Sequence, residues 1–485
     1  MIVENLLILF PHDCYLKLPP GVWKPHCSIH PGSHRTPISL VATGVSESCI
    51  RNAGDDRLSG ITRYVASDDR EGLRGIRYIK RRTVISESAA ILFGVTSDTQ
   101  LTASRNTGVH NGGSRSVRIL GTHGIPAAYG GFETAAENIA RHLTRRGWDV
   151  TVYCQTAGSG ARSQDVWQGI TRVNIPIKRD GWLGTAQFDL KSIFHASRDH
   201  GPCLTFGYNT ALFNILQKLR RIPNAINMDG IEWSRARWGR VRQGILYANE
   251  RIGCRVGDVL IADHPEIENY LAGRAKQSKI EMITYGADRV DEADTSVCAE
   301  LGVTPGRYFS LIARAIPENS ILEIVRGFSR RPRGVKLVVL GDYTESDEYH
   351  REVLTSASAE VLFPGSIYDT DRVRALRFHS LGYLHGHTVG GTNPSLVESL
   401  AAGNPVIAHD NVYNRWVARD AGRYFTDEDD VDALIDEFIR DEDLPHTLGD
   451  AAYARHAEEF TWEHIAGQYE NVLLRLIGSD VAKGG

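Results

Sequence analysis

The sequence predicts an α/β chain in which two doubly wound parallel sheets follow one another, behind an opening stretch that does not read as folded. Three observations carry this prediction. From Val117 onward, short apolar runs alternate with stretches of helical periodicity. The rhythm pauses near residues 286–294 and then starts again. The chain has 485 residues, more than one ordinary core holds, so two or three domains are expected.

The elements follow in order. Residues 117–121 read as a buried strand closed by a glycine turn, and Ala136, Ile139, Ala140 and Leu143 set a helix over 132–146. Gly147 ends that helix and residues 150–153 form the next strand. Strand, glycine turn, helix and strand make a βαβ unit, which implies a parallel sheet covered on both faces. The second series has strands at 308–312, 336–340, 361–363, 381–384 and 405–408, with helices at 321–328 and 394–402. An amphipathic helix over 462–477 closes the chain. The expected domains are thus 117–288, 289–460 and a helix at 461–478 that packs back toward the first.

Residues 1–116 carry scattered Pro, Gly, Ser, His and Arg with little periodicity. Such a stretch buries too little apolar surface to offset its ordering entropy. Three readings stay open: a disordered extension, a misassigned start with the protein beginning near Val117, or an added regulatory domain.

Composition excludes several classes. Net charge is −4, against the basic excess expected of a nucleic-acid binder. The 7 cysteines are scattered and odd in number, without a CxxC pair, which fits a reducing compartment better than a disulfide framework or a zinc site. No apolar run approaches the ~20 residues that span a bilayer, and residues 6–10 are too short for a signal-peptide core. A cytoplasmic protein is expected, with peripheral contact at the inner face of the membrane as an option.

Ligands of open parallel sheets bind beyond the carboxyl ends of the strands. Three segments lie there. In the first, Gly130 and Gly131 precede a helix whose free N–H groups and dipole suit phosphate oxygens, unless the glycines serve only close packing. The segment lacks GxGxxG, and the second strand ends Tyr153-Cys154-Gln155 without a ribose-binding acid, which disfavours a nicotinamide dehydrogenase. In the second, Arg314 follows the strand at 308–312, where it either grips a diphosphate or pairs with Glu318. In the third, Gly391, Thr392 and Asn393 open a helix with bare N–H donors, Ser395 joins them as a donor-site candidate, and Glu398 one turn inside is placed to accept the hydroxyls of a ribose. His385 and His387 alternate at strand spacing with no third ligand nearby, so hydrogen bonding is expected of them rather than metal binding.

These segments resemble the retaining GT-B glycosyltransferases of the large family (family 4-like) that includes sucrose synthases and mannosyltransferases. That family's mark is an acid, seven residues, then a Glu at the head of a helix leading into Gly-x-Pro-Val-Ile. Residues 398–407 match it, while Gly390 stands where the first acid usually is. The resemblance assigns Glu398 to the donor ribose and Arg314 to the donor phosphates. The companion Lys, five residues on, is Asn319 here. A closer likeness is to bacterial rhamnosyltransferases of surface-polysaccharide assembly with a DUF1972-type N-terminal domain. They share Gly124-Ile125-Pro126-Ala127, Tyr129-Gly130-Gly131-Phe132-Glu133-Thr134, Asp229-Gly230-Ile231-Glu232-Trp233, and His385-Gly386-His387 with Gly390-Gly391-Thr392-Asn393-Pro394-Ser395. The likeness covers residues 117–477.

It implies two Rossmann-like domains facing a central cleft, and transfer of a sugar, rhamnose from dTDP-rhamnose being favoured, to a glycan or polyprenyl-linked acceptor with retention. Asp229 and Arg314 are the catalytic candidates; Tyr129, Glu133 and Glu232 are candidates for the acceptor. Arg314 and the helix starts at Gly131 and Asn393 would stabilise the departing diphosphate, with no cofactor and no metal required. Residues 233–242 are basic and aromatic, and either dock on anionic lipid or form a solvated face. A sugar-nucleotide epimerase and a non-catalytic nucleotide-sugar binder share the same motifs and remain alternatives.

Overall fold

The structure is a computed structural model that describes residues 115–128, 130–235 and 237–481. What was expected of residues 1–114 lies outside the described residues.

In chain order the first lobe contains β1 (Ser116–Leu120), α1 (Gly131–Arg145), β2 (Asp149–Ala157), β3 (Ser163–Trp167), β4 (Ile170–Ile177), α2 (Gly181–Ala196) and β5 (Cys203–Phe206). It continues with α3 (Ile215–Leu219), β6 (Asn224–Asn227), α4 (Arg240–Val256), β7 (Val259–Ala262), α5 (Pro265–Ala272) and β8 (Ile280–Met282). Its eight strands lie in the order β3-β4-β2-β1-β5-β6-β7-β8. All its pairings are parallel except β3 with β4.

The second lobe contains α6 (Ser296–Glu300), β9 (Tyr308–Ile312), α7 (Ile321–Ser329), β10 (Lys336–Leu340), α8 (Glu348–Ser356), β11 (Val361–Gly365) and α9 (Thr370–Phe378). Then come β12 (Gly382–His385), α10 (Pro394–Ala401), β13 (Val406–His409), α11 (Val412–Ala418), β14 (Gly422–Phe425), α12 (Glu428–Arg440) and α13 (Asp443–Glu459). Its six parallel strands run β11-β10-β9-β12-β13-β14. The chain ends in α14 (Trp462–Val481).

Both sheets reverse their winding direction once, between β1 and β5 in the first and between β9 and β12 in the second. Ligand crevices of doubly wound sheets open at such points. The two lobes also share a core. A single buried cluster runs from Ile139 and Leu143 on α1, through Tyr469 and Leu473 on α14, to Leu396 and Leu400 on α10.

α14 is held against the first lobe by Glu470, which accepts from Trp148 Nε1 at 3.0 Å and Arg146 Nε at 3.2 Å and meets His142 Nε2 at 3.3 Å. Burial works to raise this carboxyl, and the Trp148 and His142 hydrogen bonds with the Arg146 charge outweigh it, so it sits below the ordinary range.

Candidate functional site

The site begins at the second sheet's switch point. Arg314 follows β9, and His385 and His387 lie at and just beyond the end of β12. With Asn319, Asn393 and Ser395 they line a cavity of about 190 Å³. His385 is buried, and its Nε2 has no hydrogen-bond partner. Burial, then the neighbouring His387, holds its pKa well below the ordinary range. His387 is pushed down to about 4 by burial and by the charges of Arg235 and Arg314. Both imidazoles are therefore neutral at pH 7, and the cation at this cavity is Arg314.

Asn319, the position where the resemblance has a Lys, is buried and braces the site. Its Nδ2 donates to the Arg314 carbonyl at 2.7 Å, and its Oδ1 lies 2.6 Å from His387 Nδ1. The backbone also excludes a side chain on Gly386, since a Cβ there would overlap the Asn319 carbonyl. One amide thus ties the Arg314 loop to the β12 loop. Glu318, the alternative partner foreseen for Arg314, lies 3.4 Å from Arg235 Nη1 of the first lobe.

The first lobe meets the segment from Gly390 to Pro394, whose end reaches the cavity wall, at three places. At α1 the helix start carries no side-chain cap, and a Cβ on Gly131 would lie 2.9 Å from Pro394 Cγ. A Cβ on Gly230 would lie 3.3 Å from Gly390 Cα. Asp263, just past β7, receives the Thr392 N–H on Oδ2 at 3.1 Å, and its carbonyl accepts from the Thr392 hydroxyl. A Cβ on Gly391 would overlap Asp263 Oδ1, so only glycine leaves room for this carboxylate. Gly131, Gly230, Gly390 and Gly391 are therefore contact glycines between lobes as well as turn residues.

The start of α10 needs a correction. The sequence suggested bare donors at Gly391, Thr392 and Asn393. The Thr392 N–H is occupied by Asp263, Asn393 Oδ1 caps its own helix through the Ser395 N–H at 2.9 Å, and Pro394 contributes no N–H. The uncapped helix start at this cleft is that of α1. Ser395 is engaged through its hydroxyl, which accepts from Arg377 Nη2 at 2.9 Å and lies 2.8 Å from Tyr383 OH. Glu398 is not in the cavity wall; its Oε2 pairs with Arg377 at 2.7 Å, one side chain removed from Ser395.

The remaining candidates sit as follows. Asp229 holds φ of 51° with its N–H on Asn227 Oδ1 at 2.9 Å, and burial together with Glu232 raises its pKa. Glu232 is buried, with Arg235 Nε at 2.7 Å, Trp238 Nε1 at 2.9 Å and Arg237 on its oxygens. Glu133 is buried on α1 and accepts the His123 N–H at 2.8 Å, so it holds the loop that follows β1. Tyr129 lies outside the described residues. The sequence reading missed Asp263, whose pKa is raised to about 7 by burial and by the nearby Asp229. Nothing in its local sequence marks it, since its partner is 129 residues away. Among the described residues no group of three or more His, Cys, Asp or Glu is placed to hold a metal ion.

Two doubly wound lobes that face each other across their switch points define the GT-B fold. Residues 204–288 match the model of a domain of unknown function, DUF1972. Among curated proteins, the chain is similar to alpha-monoglucosyldiacylglycerol synthase of Streptococcus pneumoniae, with 27% identity over 172 residues. That match covers 33% of this chain and 38% of the relative, so it spans well under half of the relative's length. Among solved structures, sucrose-phosphate synthase from Thermosynechococcus elongatus superposes with a TM-score of 0.64 at 17% identity, covering 75% of this chain and all of that one. HepE of Anabaena, in complex with UDP and glucose, superposes with a TM-score of 0.59 at 16% identity over 74% of this chain and 99% of that one.

Proposed function

We propose that the chain is a glycosyltransferase that takes a sugar from a nucleotide-diphosphate donor held between its lobes. The observation that carries this is Arg314 in the cavity at the switch point of the second sheet, with the uncapped start of α1 brought against Pro394 of the cavity wall. Breaking a sugar–phosphate bond concentrates negative charge on the departing diphosphate. A fixed guanidinium and aligned N–H groups in a water-poor cleft stabilise that charge without reorganising. Neutral His385 and His387 supply hydrogen-bonding nitrogens beside it, and Asp229 is assigned to the sugar or its acceptor. Glu398, oriented by Arg377, is assigned to the ribose. The similarity to a lipid glucosyltransferase and to a fold seen with UDP and glucose supports the same class.

The finer reading rests on the motif resemblance. The favoured donor is dTDP-rhamnose, and the favoured acceptor is a polyprenyl-linked saccharide on the cytoplasmic side, with retention at the anomeric carbon and no metal. A thermal-shift panel of dTDP-, UDP- and GDP-sugars tests the donor. At about 100 times its dissociation constant, the true donor adds about 2.7 kcal/mol. Nucleoside-diphosphate release that depends on acceptor and persists in EDTA supports transfer; donor binding without turnover points to a non-catalytic binder, and turnover without acceptor to an epimerase.

A further inference from the structure

The large apolar side chains left exposed among the described residues are unevenly spread. Nine of the twelve fall between residues 182 and 247, and only Tyr368 and Val412 belong to the second lobe. The helices concerned form one layer. The β4→β5, β5→β6 and β6→β7 crossovers all advance in the same direction across the first sheet. Right-handed crossovers then put α2, α3 and α4 on the same face. α2 touches α3 and α3 touches α4.

α2 shows the pattern most clearly. Gly184, Phe188, Ser192 and Ala196 turn to the sheet and are buried. Leu183, Leu190 and Phe194, spaced by seven and four residues, form a second line on the opposite side and remain exposed. A helix that is apolar on two sides and covered on one has a face without a protein partner. Leu212 and Leu219 (77% exposed) continue the patch beside α2, and Val241 (81% exposed) and Ile245 extend it along α4.

The charge of this layer is opposite to that of the chain. Residues 178–255 hold thirteen Lys and Arg against six Asp and Glu, within a protein of net charge −4. Three of those acids, Asp189, Glu232 and Glu250, are buried, so the outer surface is more basic still. Cations border the apolar side chains directly: the guanidinium groups of Arg198 and Arg220 lie 5.8 and 5.9 Å from the ring of Phe194.

We propose that this face docks the protein on a bilayer containing anionic lipid. The apolar side chains enter the boundary between headgroups and acyl chains while the lysines and arginines meet the phosphates. Charge complementarity selects this occupant. A second copy would set one basic face against another, and residues 1–114, with thirteen Lys and Arg against ten Asp and Glu, offer no acidic counterpart. Of residues 233–242, only Arg240, Val241 and Arg242 join the face. Trp233 Nε1 is turned inward to Glu250 at 2.7 Å, and Arg235 and Arg237 are held by Glu232.

The proposal is independent of what the cleft binds. The test is co-sedimentation of the full chain with vesicles of POPC alone and of POPC with about one-third POPG. Wild type should bind the POPG vesicles, bind POPC at least about tenfold more weakly, and release in high salt. L190S/F194S should bind about tenfold more weakly, and R240E/R242E should lose about fivefold for each charge removed, both with an unchanged thermal midpoint. Absence of sedimentation with POPG vesicles, or wild-type binding by both variants, overturns it. So does a dimer seen by light scattering that L190S/F194S dissolves while vesicle binding is missing.

Discussion

Single side chains decide most of the chemistry proposed for the cleft. Arg314→Ala removes the cation beside the cavity, and a loss on the order of 10²–10³-fold in turnover is expected. Arg314→Lys should recover only part of it, because an ammonium lacks the planar fork that matches a diphosphate. Equal turnover by Arg314→Ala and wild type in the nucleoside-diphosphate release assay would remove the arginine from the mechanism.

Asp263 yields a prediction with a definite pH sign. Its folded pKa of about 7 is above the ordinary carboxyl value of roughly 3.9, so the folded state holds the proton more tightly than the unfolded one. Folding therefore loses stability through this group as pH rises from about 4 to about 7, and the penalty is complete above that. Asp263→Asn keeps an oxygen for the Thr392 N–H and removes the titration. Its midpoint relative to wild type should improve steadily from pH 4.5 to pH 8; a flat difference across that range refutes the assignment. His387 acts in the other direction. Its depressed pKa of about 4 costs stability as pH falls below about 6.5, so the Asp263→Asn variant must be compared with wild type as a difference and not on the absolute midpoint.

Elements were legible wherever periodicity was strong and local. The strands at 308–312 and 336–340 and the helix at 321–328 lie within a residue of where the apolar pattern puts them. The hairpin of β3 and β4 was not seen, because Ser163, Gln164 and Asp165 carry no apolar alternation. Its one signal is Gln168-Gly169, where positive φ values of 49° and 81° make the tight turn. Asn319 and Asp263 were illegible for another reason: each acts on residues far along the chain.

The closing helix shows how an element's value depends on its anchor. Glu470 is buried among Trp148, His142 and Arg146, so Glu470→Ala leaves those groups without a carboxylate and should cost about 3–5 kcal/mol. Gly286→Ala forces a Cβ to within 2.8 Å of the Trp462 ring at the foot of the same helix, and about 1–3 kcal/mol of overpacking is expected. Urea unfolding measures both, and a loss under about 0.5 kcal/mol for either would mean that α14 is held elsewhere.

At the scale of the whole molecule, the two lobes approach each other most closely at glycines. Gly131 faces Pro394, Gly230 faces Gly390, and Gly391 faces Asp263. Polar links at Arg235–Glu318 and Asp263–Thr392 span the same gap. A sequence can show the glycines but not what they face, which is why Gly391 read as a phosphate turn and proved to be the seat of a carboxylate from the other lobe. This arrangement makes lobe separation a measurable quantity. Gly131→Ala places a methyl 2.9 Å from Pro394 Cγ, at the start of α1, in a residue whose own helical backbone accepts alanine readily. The lobes must move apart by a few tenths of an ångström or more, while α1 itself gains helix propensity. The expected result is an unchanged or slightly raised thermal midpoint together with a fall in kcat/KM on the order of tenfold, carried mainly by KM for the donor. Gly147→Ala, at a glycine with open space around it but a φ of 82°, is the control: it should lower the midpoint and leave KM alone. If Gly131→Ala instead loses stability with KM unchanged, the gap between the lobes is not where the donor binds.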